Sequence, residues 1–348
     1  MKVRVSATPK ELLTHSRMSC AKTCLRKHHY RYVLGITSHT TAAPLRFGGN
    51  AHLAWELWSK GATPEEAINR AIAEYDNADD YDLQIERITL ATMLTGYFWY
   101  YRNDDLIYEE VEKGFCLPLM NPNPGKRQSV SRTFNLAGKR DGIVRLNGRR
   151  FLLERKTTNA DISDGSEYWL RLRCDQQISL YIIAAQQGGD DVSDVLYDVM
   201  RKPTIHPYRA TPKEKLRYRK DGELYANCRL ENEAPQDYGE RLWQDILERP
   251  EFYYQRREVP RLHDELELCK QEAWAIADWL RKGYSFRNVS YLCSKCEFAT
   301  LCLQSISVDI NNLPAGFNLL ENKHPELEEN NDDNNASTTD STATTTDN

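Results

Sequence analysis

The chain lacks any run of about eighteen apolar residues, the length a membrane-spanning helix needs, so no membrane association is expected. Its opening residues, MKVRVSATPK, lack the apolar segment of a secretory signal, which leads to the expectation of a cytoplasmic protein. No internal repeat is found, and this sets aside solenoids and propellers. From Pro325 to Asn348 there are seven Asp/Glu, no Lys or Arg and few apolar side chains. Such a composition cannot offset the entropy of ordering, so a disordered acidic tail is expected over residues 321–348. The tail also masks the charge of the rest. The whole chain is −5, so the 324 residues before Pro325 carry about +2 (−5 minus −7).

What is present is enough for a sizeable core: 348 residues, 40% of them hydrophobic. Basic residues cluster with tyrosines in CAKTCLRKHHYRY, with Lys22, Arg26, Lys27 and Arg31, and in RKPTIHPYRATPKEKLRYRK. Such runs suit phosphate backbones and stacked bases, although a solvated face is the commoner origin of one basic run. TPKE at Thr8–Glu11 combines a Thr cap, a Pro and a Glu, and predicts a helix start there. A second helix is expected to carry Cys20 and Cys24, and helical periodicity continues from Ala43 to Arg102. Strands follow in LIYEEVEKGFCLPL, SRTFNLAGKRDGIVRL and RRFLLERKTT, the last two joined by an Asn147–Gly148 turn. A helix over Tyr168–Gly189 and a strand in VSDVLYDVMRK complete a core over residues 105–202, behind a helical region over 1–104. Residues 203–284 read as a helical insertion around a strand FYYQRREVP, and residues 285–320 as a cysteine-rich segment.

The charges in GKRDGIVRLNGRRFLLERKTTN need a reason. Glu154 and Lys156 are two apart on one strand and share a face, and Asp141 lies near the end of the partner strand. Two carboxylates among Phe151, Leu152 and Leu153 would repel unless a cation lay between them, and hard ions such as Mg²⁺ prefer oxygen ligands. Lys156 could then orient or deprotonate a water and offset charge on a scissile phosphate. The bland alternative is a surface hairpin with a cross-strand ion pair.

This pattern resembles the PD-(D/E)XK nuclease superfamily, and most closely its RecB-like branch of phage nucleases, helicase-nuclease subunits and exonucleases of CRISPR adaptation. The branch's Gly-x-x-x-His helix start is matched by Gly48 to His52, or off the usual spacing by Gly49, and its Gln-x-x-x-Tyr helix by Gln177 and Tyr181. The resemblance implies an α/β fold with a restriction-endonuclease-like core, a central mixed β-sheet flanked by helices. It implies His52, Asp141 and Glu154 as ligands of Mg²⁺ or Mn²⁺ with the Arg155 backbone carbonyl, Lys156 as the catalytic lysine, and Gln177 and Tyr181 as its support. Glu112 is a looser match to a further acidic position. The implied activity is metal-dependent DNA hydrolysis, by an exonuclease on single strands or free ends in recombination, repair or phage DNA processing. A helicase or recombination protein is an implied partner, and the host-cell cytoplasm the location for a phage-encoded chain. A non-cleaving nucleic-acid-binding module of the same fold and an RNA-directed endonuclease are the alternatives.

CSKCEFATLC places Cys293, Cys296 and Cys302 in a dense cluster that reads, in a reducing cytosol, as a zinc or iron-sulfur site rather than disulfides. The same branch closes a [4Fe-4S] cluster with one N-terminal cysteine, which would clamp the two chain ends together. CLRKHHYRYVLG resembles that segment and points to Cys24, with Cys20 the alternative and a Cys₄ zinc site the competing cofactor. Cys116, Cys174, Cys228 and Cys269 read as small apolar residues.

Overall fold

Asn147 and Gly148 turn the chain between two strands with φ of 50° and 78°, the two left-handed positions that a two-residue hairpin requires. The computed structural model describes residues 9–38, 43–76, 79–123, 125, 129–304, 306 and 308–327. The first elements are β1 (Glu11–Leu13), α1 (His15–Thr23), α2 (Leu25–His28), a π-turn at His29–Leu34 and β2 (Ile36–Ser38). Then come the helices α3 (Ala43–Ser59), α4 (Pro64–Ile72) and α5 (Tyr81–Tyr100), followed by the strands β3 (Ile107–Met120), β4 (Val130–Leu146) and β5 (Arg149–Thr158). The chain continues through α6 (Glu167–Leu172), α7 (Gln176–Gln187), β6 (Asp194–Arg201), α8 (Pro235–Glu248), α9 (Pro250–Tyr253) and β7 (Tyr254–Pro260). It ends with α10 (His263–Arg281), α11 (Ala299–Leu303) and β8 (Phe317–Leu319).

The result is the mixed α/β architecture expected, a central sheet flanked by helices, in the order β1-β4-β5-β6-β7 with β3 on the other edge of β4. β4 meets β1 in parallel at Phe134–Leu136 and β5 antiparallel from Gly142 onward. Neither strand pairs with Ala137–Asp141, so this edge of β4 is open at mid-strand. Period-two alternation on β5 sends Leu152 to the face covered by α6, α7 and α10, and Phe151 and Leu153 to the opposite face. On that opposite side the sheet and helices α3, α4, α5 and α8 enclose a second core around Trp55, Tyr97 and Tyr254. Thr63 and Glu66 form a capping box at the start of α4. Gly142 is obligatory for the packing of β3, because a Cβ there would lie 2.4 Å from the Glu110 carbonyl oxygen.

Several local expectations yield to tertiary pairing. Of TPKE, Thr8 lies outside the described residues and Glu11 begins a strand, not a helix. Pairing with Phe134–Leu136 satisfies this backbone and buries Leu13, and α1 starts instead at His15, where the Thr14 hydroxyl accepts from the Arg17 N–H at 3.2 Å. The single helix expected over Tyr168–Gly189 is two. Asp175 caps α7 by accepting from Gln177 N–H at 2.9 Å, while the Arg261 guanidinium donates to the carbonyls of Leu172, Arg173 and Asp175. Cys20 and Cys24 do not share a helix either, since Cys24 is extended at φ −165° after α1 ends.

The stretch expected as an insertion largely belongs to the core. β7 pairs with β6 along Asp194–Met200, Arg256 forms an ion pair with the fully buried Asp198, and the Tyr254 hydroxyl donates to the Met93 carbonyl. Residues 321–327, placed in the tail by composition, make contacts. Thr14 donates to Glu326 at 2.9 Å and Lys323 to the Val33 carbonyl at 2.6 Å, next to a β2–β8 pair. The tail beyond Leu327 lies outside the described residues. Of the cysteines read as apolar fillers, only Cys269 is buried, while Cys116 and Cys174 are exposed and Cys228 is intermediate. Among the described residues no helix is long and apolar enough to cross a membrane.

Candidate metal centre and cysteine site

The open stretch of β4 is where the charged residues gather. The β4–β5 ladder ends at Gly142↔Leu153, one residue short of Asp141 and Glu154, so the two strands part there. The freed Arg155 N–H donates to Asp141 Oδ2 at 2.6 Å, which fixes the carboxylate in place of a backbone partner. On the other edge, Glu112 stands opposite Asp141 between the Val111↔Gly142 and Lys113↔Arg140 pairs, and its φ is +49°. A left-handed glutamate inside a strand is strained, and such strain persists where the surroundings over-determine it. α3, packed against β3 and β5, brings His52 Nδ1 to 3.7 Å from Asp141 Oδ1.

His52, Glu112 and Asp141 are the one His/Cys/Asp/Glu trio among the described residues whose ligand atoms all lie within 4.8 Å of one another. Glu112, a loose match by sequence, is therefore in the group, and Glu154 is not. Glu154 is 2% exposed, with Oε1 ion-paired to Lys156 and Oε2 buried without a partner. Such an orphaned carboxylate oxygen is what a cation would satisfy. The side chain of Arg155 points to the opposite face, bonded to Ser59 Oγ at 2.8 Å and the Tyr108 hydroxyl at 2.7 Å, so that only its backbone faces the site.

The support for Lys156 is a chain of bonds. Its ammonium donates to Gln177 Oε1 at 3.1 Å, and Gln177 Nε2 donates to the Tyr181 hydroxyl at 3.1 Å. The two side chains sit one turn apart on α7, as their spacing requires. Burial works against the Lys156 charge, but Glu154, Asp175 and Asp141 outweigh it and hold its pKa above that of a free lysine. That keeps Lys156 in its ammonium form, with N–H groups to donate. Burial, reinforced by Asp141, pushes Glu112 up to about 7 and, against the pull of Lys156, Glu154 up to about 8. Burial lowers the pKa of His52, leaving it neutral and able to ligate. Without a cation the site holds protons that a cation must displace.

A family model of the PD-(D/E)XK nuclease superfamily matches residues 12–303. The chain belongs to the PD-(D/E)XK nuclease superfamily. No curated protein matches it. Membership brings the restriction-endonuclease-like core and metal-dependent nuclease chemistry, with a divalent metal as cofactor. Two further residues of the superfamily member's site escaped the sequence reading. Lys139 pairs with Glu112 at 2.9 Å, and Asp175, the α7 cap, is among the charges acting on Lys156. Lys139 carried a usable signal, being two residues before Asp141 and so on its face. Asp175 carried none, because its role depends on the break between α6 and α7.

The cysteines gather at the other end of α1. Cys24, Cys293, Cys296 and Cys302 line one cavity of about 190 Å³ together with Tyr30, Leu292 and Phe298. Cys20 lines a different cavity, with His15, Ser16 and Ser19, and burial pushes its thiol up to about 11. The Cys24 thiol accepts from Asn288 N–H at 3.4 Å, and the Cys293 thiol from Ser290 N–H at 3.5 Å.

Proposed function

We propose that the protein hydrolyses DNA phosphodiesters with Mg²⁺ or Mn²⁺, as an exonuclease of RecB-like type acting in the cytoplasm on single strands or free ends in recombination, repair or phage DNA processing. The observation that carries the reading is the His52, Glu112 and Asp141 trio beside the Lys156–Glu154 pair. His52, Glu112 and Asp141 would hold the metal, with the orphaned Glu154 Oε2 and the Arg155 carbonyl completing the donor set. When bound, the ion supplies Lewis-acid polarisation of the phosphate and a more acidic water. The Tyr181 hydroxyl takes the amide N–H of Gln177 and leaves its oxygen for Lys156, which fixes the ammonium's direction. Lys156 then orients the attacking water and offsets negative charge developing on the phosphate.

The cysteine cavity supports a [4Fe-4S] cluster on Cys24, Cys293, Cys296 and Cys302. A tetrahedral zinc with bonds of about 2.3 Å draws its thiolates to within about 3.8 Å of one another. The same four thiolates could hold that ion, and the cluster is preferred here for the likeness of CLRKHHYRYVLG and of the Cys293, Cys296 and Cys302 spacing to the cluster-bearing branch. The deciding assay uses end-labelled single-stranded DNA, duplex DNA and RNA with Mg²⁺, Mn²⁺ or chelator. Wild type is expected to degrade the single strand only with metal, and Lys156→Ala to be inactive while folded. Near-normal turnover by folded Lys156→Ala would refute the site assignment.

A further inference from the structure

The chain between β6 and α8, rich in Lys, Arg and Tyr, has no part in the catalytic site. Apart from a single helical turn at Lys213–Lys215 it contains no helix or strand, yet its backbone bonds fold it back on itself. Glu233 N–H donates to the Tyr208 carbonyl, Thr211 N–H to Arg229, Tyr225 N–H to Arg217 and Arg219 N–H to Glu223, and the turn closes with Gly222 N–H on Arg219. The segment is therefore a long antiparallel arm. Its base is rigid, for Arg241 lies 4.2 Å over the Tyr208 ring and pairs with Glu233 at 2.7 Å, and the Tyr81 hydroxyl donates to the Glu233 carbonyl. Its root is at the active end of the sheet, where Lys202 N–H donates to the carbonyl of Thr158, two residues beyond Lys156.

The far half of the arm is exposed along most of its length among the described residues. Tyr218 is 56% exposed and Tyr225 48%, and the Tyr218↔Leu224 bridge puts them on opposite faces, with Arg217 directly across from Tyr225. Lys213, Lys215, Arg217 and Lys220 are exposed, and among the described residues none has a carboxylate within 4.0 Å, although Glu214 stands between the first two. A two-stranded ribbon with no buried face is marginal alone, so exposed rings and uncompensated cations on it call for a partner. Cations recognise phosphates, and phenol rings stack on bases that are not already stacked in a duplex.

We propose that residues 208–233 form an arm that binds single-stranded nucleic acid and holds the strand passing to the catalytic site. The placement on substrate rests on the nuclease reading, whereas the binding does not. The full-length protein is tested in chelator with a labelled oligothymidylate, an RNA of equal length and a blunt duplex. Tyr218→Ala with Tyr225→Ala is expected to weaken both single strands by on the order of tenfold or more and leave the duplex unchanged, and the two Phe replacements to restore binding. Arg217→Glu with Lys220→Glu is expected to lower the salt slope for single strands by about 1.4, two contacts at about 0.7 each. Hydrolysis of bis(p-nitrophenyl) phosphate with Mn²⁺ is expected to stay at the wild-type rate in every variant. Single-strand affinity within twofold of wild type in the folded alanine pair overturns the arm, and so does an equal loss on duplex. A wild-type protein that cleaves no phosphodiester, but loses single-strand binding in the alanine pair, overturns the nuclease reading and keeps the arm.

Discussion

Replacing Glu154 by Gln should make the metal-free protein more stable while abolishing its activity. Burial raises the Glu154 carboxyl from 4.5 to about 8 in the folded state. The unfolded chain therefore ionises this group from about pH 4.5 upward while the folded protein keeps its proton, so folding stability falls as pH rises between those values. At pH 7 the cost is on the order of 3 kcal/mol, which Gln avoids. Gln keeps an acceptor oxygen for Lys156, which also keeps Gln177, so the loss is the charge assistance of one hydrogen bond and should offset on the order of 1 kcal/mol. A net gain of roughly 2 kcal/mol at pH 7 corresponds to a melting rise of about 3 °C in a chain of this length. Thermal denaturation of both proteins in chelator between about pH 4.5 and 8.5 should show the difference opening as pH rises, and Mn²⁺ should stabilise wild type far more than Glu154→Gln. A melting difference that is independent of pH, or a variant less stable than wild type at pH 8, would refute the reasoning.

Gly142→Ala should cost more than about 3 kcal/mol or prevent folding, because its Cβ would collide with the Glu110 backbone rather than with a movable side chain; urea denaturation measures it. If the cysteine cavity holds the proposed cluster, Cys24→Ala should lose the iron and visible colour of anaerobically purified protein and Cys20→Ala should keep them, whereas the reverse result would move the fourth ligand to the neighbouring cavity. Truncation after Leu327 should leave melting unchanged, while truncation after Leu320 also removes the Glu326–Thr14 and Lys323–Val33 bonds and should cost about 1–2 kcal/mol. Equal melting of the two truncated proteins would show that these bonds contribute nothing.

The sequence by itself determined what depends on neighbours along the chain. Asn147–Gly148 specified the hairpin, the two-residue period put Glu154 and Lys156 on one face, and the one-turn spacing put Gln177 with Tyr181. The order from His52 to Tyr181 then carried the family. Tertiary structure decided whatever depends on which strand edge is occupied. β1 and β5 share one edge of β4 and leave Asp141 in the gap between them, and the opposite edge bends Glu112 into a left-handed turn toward it. That is why Glu112 stands with His52 and Asp141 while Glu154 stands with Lys156, a distinction no spacing in the chain contains. Glu11 went to a strand, and the Tyr168–Gly189 helix was cut in two, because Phe134–Leu136 and Arg261 supplied bonds from more than 80 residues away. A capping signal spans one turn of backbone, and it loses whenever a distant strand or guanidinium satisfies the same polar groups.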